Sequence, residues 1–171
     1  YYTNDETRLQ GSWKRVFKWK PPEENTIDFL IRFIEIIESN INDVNKKYMY
    51  CKLYVGYDEN IEIKPFDILN HRFEDNIYGI KEFAECYIEV HNLLVNGKNK
   101  EIVYTLDNKE LLNGMIVEMS YDNNENNEFL KWKPNRIRYD KTELYKITKS
   151  ISGTANDYST ALNVWNSIQH P

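Results

Sequence analysis

The chain has 171 residues, with 22 Lys and Arg against 27 Asp and Glu, a formal net charge of -5 and 14% aromatic residues. That length supports one hydrophobic core with short appendages, and the aromatic content excludes an ordinary disordered chain. No apolar run approaches the roughly 20 residues of a membrane-spanning helix, so no membrane partner is expected.

The first residues, Tyr1 to Arg8, are polar and lack the apolar segment and cleavage site of a secretory leader, which points to a cytoplasmic setting. Ile27 to Ile37 is nearly all apolar, interrupted by Asp28, Arg32 and Glu35. Its Ile and Phe content favours a strand, although its length also suits a helix. From Tyr48 to Val55 the chain alternates. Tyr48, Tyr50, Lys52 and Tyr54 lie on one face, and Met49, Cys51, Leu53 and Val55 on the other, which predicts a half-buried strand ending at Gly56. Glu85 to Val90 predicts another strand. Asn96-Gly97 predicts a hairpin turn into Glu101 to Leu106, and Asn113-Gly114 a second turn into Met115 to Tyr121. Asp122 to Asn127 reads as a polar loop, followed by a short segment, Glu128 to Trp132. Short strands separated by turn signals predict a small β-barrel. At the end, Asn156 or Asp157 caps a predicted helix carrying Tyr158, Ala161, Leu162, Trp165 and Ile168 at helical spacing. Cys51 and Cys86 both sit in strand-like contexts and are expected as buried thiols. The three His are isolated, so no metal site is expected.

Charge is segregated along the chain. Arg8, Lys14, Arg15, Lys18 and Lys20 form a basic stretch without an acid. Lys131, Lys133, Arg136, Arg138 and Lys141 form a second, with Asp140 as its one acid. An acidic chain with two basic stripes points to a local phosphate site rather than a broad nucleic-acid surface. The tetrapeptide Lys-Trp-Lys-Pro occurs in both, at Lys18 to Pro21 and Lys131 to Pro134. Lys18 and Lys20, two apart, project to one face of a strand, where an anion between them relieves their repulsion. Arg136 and Arg138 repeat the spacing with guanidinium forks that bind phosphate bidentately. Asp140 would hold one of these cations in place or help coordinate magnesium on a polyphosphate. Edge-strand lysines kept for solubility, and a surface strand with a local ion pair, are the plainer readings of the same residues. Glycine-rich phosphate loops are absent, so any phosphate contact must use side chains.

The stretch KWKPPEENTIDF, Lys18 to Phe29, resembles the fifth motif of mRNA guanylyltransferases, in the covalent nucleotidyltransferase superfamily. WKPNRIRYDKTE, Trp132 to Glu143, resembles their sixth, with Arg138-Tyr139-Asp140-Lys141 as its core. Ile116 to Asn123 resembles the strand before that motif. The C-terminal stretch from Ser152 to Pro171 resembles the joint between guanylyltransferase and cap methyltransferase in fused capping enzymes of large DNA viruses. From about Asn40 to Lys109 the likeness lies only in the strand pattern.

The resemblance implies a mainly β chain, an OB-fold-type small β-barrel with a C-terminal α-helix. Residues 1–24 would be the terminal strand region of a nucleotidyltransferase core, 25–155 the OB-fold domain, and 156–171 a helix leading toward a methyltransferase domain. Lys18 and Lys20 would reach the nucleotide's α-phosphate. Arg138, Asp140 and Lys141, supported by Arg136, would close over the β- and γ-phosphates. GTP, magnesium or manganese, and the 5′ end of RNA would be the cofactors and partners of the full enzyme, with none bound to this piece alone. The setting would be the cytoplasm, a viral factory or the virion.

The family's nucleophile lies in a Lys-x-Asp-Gly motif that this chain lacks. With no initial Met, and with Pro171 directly after the predicted helix, the chain is expected to be a piece that cannot form the lysyl-GMP adduct unaided. The alternative is a non-catalytic barrel that binds single-stranded RNA or serves as a scaffold, stacking bases on Tyr48, Tyr50 and Tyr54. A ligase barrel is a third reading, disfavoured by Asn25 to Phe29.

Overall fold

The computed structural model describes residues 25–56, 79–151 and 153–170. Among the described residues, seven strands are arranged antiparallel: β1 (Thr26–Ile41), β2 (Val44–Gly56), β3 (Ile80–Val95), β4 (Lys98–Tyr104), β5 (Glu110–Leu111), β6 (Ile116–Tyr121) and β7 (Trp132–Ile137). Their lateral order is β5-β4-β3-β2-β1-β6-β7. The two ends of the sheet curl toward each other, and the Leu106 N–H beyond β4 donates to the Pro134 carbonyl of β7 at 2.8 Å. The result is a nearly closed barrel of OB type with two helices, α1 (Tyr139–Thr148) and α2 (Tyr158–Gln169), following it.

The predicted strands are present. β1 settles as strand rather than helix because it is central, pairing with β2 along one edge and β6 along the other. Ile27, Phe29 and Ile31 alternate into the barrel core, while Leu30 on the opposite face packs with Ile80, Ile116 and Ala155. Burial on both faces explains the nearly continuous apolar run. A bulge between Phe33 and Glu35 interrupts the register. Beyond it, β1 and β2 run out to a turn at Asn42 and Asp43, whose φ values of 56° and 65° match a type I′ hairpin. The expected Asn96-Gly97 hairpin joins β3 to β4, with both residues at positive φ. Near the bulge, the Asn113 side-chain oxygen accepts the Phe33 N–H at 2.7 Å, tying the second turn to β1.

Aromatic side chains build the core. Phe29 meets Trp132 edge-on at 5.2 Å and Phe83 at 5.5 Å. Trp132 stacks on Trp165 of α2 at 5.8 Å, and Tyr121 meets Trp165 edge-on at 4.8 Å. Trp132, the aromatic member of the second Lys-Trp-Lys-Pro, is therefore a core residue and not an exposed surface between its lysines. Tyr158 and Trp165 of α2 pack on the barrel, whereas Leu162 stays 36% exposed. Cys51 and Cys86 are register partners across β2 and β3, fully buried as free thiols. Their mutual hydrogen bond and their burial push the Cys51 thiol pKa upward.

Asp157, and not Asn156, caps α2: its carboxylate accepts the Thr160 N–H at 2.8 Å. That bond holds the Asp157 pKa below its usual value of 3.8. Asp157→Ala should cost about 1 kcal/mol of stability. A folded-state pKa below the unfolded one means that the contribution is present above pH 3.8 and lost as pH falls through the folded value. Paired urea titrations at pH 7 and pH 2.5 check this, with the difference between wild type and variant shrinking at the lower pH.

Candidate functional site

Strand β7 alternates: Trp132, Pro134 and Ile137 are buried, and Lys133, Arg136 and Arg138 are not. Asn135 is the extra residue of a bulge opposite β6, and its side-chain oxygen accepts the Ser120 hydroxyl at 2.9 Å. Arg138 is where strand becomes helix. Its N–H still donates to the Ile116 carbonyl of β6 at 2.8 Å, while its carbonyl already accepts the Thr142 N–H of α1 at 2.8 Å. The buried Thr142 hydroxyl accepts the Ile116 N–H at 2.9 Å, so the first turn of α1 is pinned to β6.

This junction explains the Arg-x-Asp-Lys spacing. Positions i and i+3 fall on one side of the first helical turn, and both side chains reach the same atom. Arg138 Nη1 donates to Asp28 Oδ2 at 2.8 Å, and Lys141 Nζ donates to that oxygen at 2.9 Å. Asp28 belongs to β1 and its side chain is only 8% exposed; those of Arg138 and Lys141 are 22% and 27% exposed. A carboxylate this deep needs charged partners, and it has two. Its backbone is held as well: Asn156 accepts the Asp28 N–H on its side-chain oxygen at 2.8 Å and donates its own N–H to the Asp28 carbonyl at 2.9 Å. The Asn156 carbonyl takes the Gly56 N–H at 2.9 Å, so the segment before α2 ties β1 to β2 directly behind the acid.

Arg136 pairs with Glu118 of β6 at 3.1 Å, and Arg138 approaches the same carboxylate at 3.9 Å. Asp140 is exposed in the first turn of α1, where a carboxylate suits the helix dipole. It is Asp28, and not Asp140, that holds Arg138 and Lys141. Lys18 and Lys20 lie outside the described residues. Sequence gives Glu118 no role and offers Asn156 only as a helix cap. Asp28 carries two sequence signals, a charge inside the apolar run of β1 and a place in the Lys18–Phe29 motif, but neither names its partners. Helix α1 carries no comparable signal in the sequence.

A guanidinium has five N–H donors and an ammonium three. Asp28 occupies one on each cation, so the site can offer further donors to an anion. The described residues do not fit a divalent cation: Asp28 is committed to two cations, Asp140 stands alone, and no cluster of three ligating side chains exists among the described residues.

The tyrosines considered for base stacking are engaged otherwise. Tyr48 is buried, and Tyr54 lies 5.5 Å beneath the Arg32 guanidinium. The Tyr50 hydroxyl donates to Glu85 at 2.7 Å, a bond to an acid that raises its pKa to about 12.

An OB-type barrel with cations gathered at a strand-to-helix junction is the class that fold and site define. The chain belongs to the family described as mRNA capping enzyme, C-terminal domain, whose model matches residues 24–171. A protein named as a probable mRNA-capping enzyme from Acanthamoeba polyphaga mimivirus is 26% identical over 166 residues, covering 91% of this chain. The chain spans 13% of that relative's length. No solved structure matches it significantly.

Proposed function

We propose that this chain is the phosphate-closing barrel of an mRNA guanylyltransferase and works only as part of a larger enzyme. What supports this is the convergence of Arg138 and Lys141 on the buried oxygen of Asp28, which orients two cations while leaving donors available. In the reaction, a lysine nitrogen attacks the α-phosphorus of GTP. The N–P bond forms, the bond from the α-phosphorus to the bridging oxygen breaks, and pyrophosphate leaves with the bond's electrons. GMP then passes to the 5′ end of RNA. Arg138 and Lys141 contact the β- and γ-phosphates and stabilise the charge that gathers there, in a site where little reorganisation is needed. Arg136 supports them, Asp140 stabilises the turn that carries Lys141, and Lys18 and Lys20 serve the α-phosphate. GTP and its magnesium or manganese ion are bound mainly by the nucleotidyltransferase core. The barrel opens afterwards to release pyrophosphate and admit RNA.

The test is covalent labelling with GTP radiolabelled at the α-phosphate, in the parent polypeptide carrying the nucleophilic lysine. Arg138→Ala or Lys141→Ala should each lower enzyme–GMP formation by about 10²- to 10³-fold. The isolated chain with GTP and magnesium should acquire no label. Full activity in both variants, or a stable phosphoramidate on the isolated chain, would overturn the assignment.

A further inference from the structure

A cleft of about 720 Å3 opens between the β1–β2 turn, the β3–β4 hairpin and β7, within the range of ligand sites. Tyr87, His91 and Tyr104 line it. Tyr87 is stacked on Phe129 at 4.4 Å, and the exposed His91 ring lies 5.7 Å from that of Tyr104. Lys46 and Lys133 stand among the lining residues, held by Glu89 at 3.3 Å and Glu125 at 3.4 Å. Lys133 also begins the file of β7 side chains that points away from the core and continues through Arg136 to Arg138. Lys133 and Arg138 are five positions apart, about 13–16 Å at 3.3 Å per residue with the Asn135 bulge between them. Cleft and cation site are thus joined by one edge of cations, each paired with an acid: Lys133 with Glu125, Arg136 with Glu118 and Arg138 with Asp28.

We infer that single-stranded RNA, the acceptor in the proposed transfer, follows this edge, with its 5′ end toward Arg138 and Lys141 and later bases in the cleft. The inference rests on the capping reading and assigns it an acceptor track. Phe129 covers one face of Tyr87, so His91 and Tyr104 are the rings left for a base to stack on, and β7 follows the backbone with cations. A peptide suits the site less well, because what leads out of the cleft is a file of cations rather than an apolar stripe. Each rim lysine must exchange a carboxylate for a phosphate, so binding is modest and sensitive to salt. That suits a substrate that must also depart.

The probe is a fluorescently labelled, short single-stranded oligoribonucleotide, titrated with this chain by anisotropy at several salt concentrations. Affinity should fall steeply with salt. Lys133→Gln should weaken binding about 3- to 10-fold and flatten the log–log salt slope by about one. His91→Ala with Tyr104→Ala should weaken it about 5- to 100-fold, the worth of a stacked base. Lys98→Glu, at the β3–β4 turn and outside the cleft lining, should change affinity by less than about twofold. Should the double variant fail to fold, the half-buried Lys133 position decides. No binding at low salt, wild-type affinity in Lys133→Gln, equal weakening by Lys98→Glu, or binding of peptides in place of RNA would overturn the inference. No GTP is used, so a negative result here leaves the phosphate-closing reading standing, and failure of GTP labelling does not alter this measurement.

Discussion

Removing both cations from Asp28, as Arg138→Ala with Lys141→Ala, is expected to destabilise the barrel by about 3–5 kcal/mol. Either single substitution is expected to cost about 1–3 kcal/mol, the value of one charge-assisted hydrogen bond. The magnitudes follow from which group is left behind. After a single substitution, Asp28 keeps one partner on the same oxygen. After both, an 8%-exposed carboxylate is left without either cation. The reverse deletion is milder, because Arg138 and Lys141 are 22% and 27% exposed and can turn toward water. Adding Asp28→Asn to the double variant should therefore recover most of the loss by removing the stranded charge. Urea midpoints for the singles, the double and the triple give the coupling directly. A double-variant loss equal to the sum of two small singles, with no recovery in the triple, would mean that the acid does not depend on these cations.

Trp132→Ala is expected to cost about 3–5 kcal/mol, the range for truncating a buried aromatic. Trp132 is 4% exposed and touches Phe29, Tyr121 and Trp165 together, so its loss opens a void shared by β1, β6 and α2. The damage should spread to α2, whose stacking partner disappears: amide exchange in Tyr158–Gln169 should accelerate more than in β2. Trp132→Phe retains a ring and should lose less. An unchanged urea midpoint in Trp132→Ala would place the indole at the surface and contradict the core described above.

Much of the barrel could be read from local pattern. Alternation in Tyr48 to Val55, the Asn96-Gly97 and Asn113-Gly114 turns, and helical spacing after Asp157 all depend on near neighbours, and each is present as expected. The Asn42-Asp43 turn lacks the usual local mark, because neither residue is a glycine. Local pattern does not mark helix α1, because the Arg136–Arg138 spacing reads as strand although the strand ends at Ile137. What starts the helix is a pair of bonds to Ile116, some 22 to 26 positions earlier in the chain.

The candidate site divides along the same line. The bases of the second motif, Arg136, Arg138 and Lys141, are visible as a charge pattern because they lie within a few residues of each other. Their counterpart, Asp28, lies 110 positions before Arg138 and 113 before Lys141. Sequence alone determined a charged residue in an apolar strand, a small barrel and two basic stretches that resemble capping-enzyme motifs. Only the tertiary structure decided that Asp28 is the acid those bases share, that Asn156 braces it, and that Trp132 belongs to the core. Periodicity and turn preference act over a few residues of covalent chain, whereas burial and ion pairing depend on distances that exist only once β1 lies beside β6 and β7 hands over to α1.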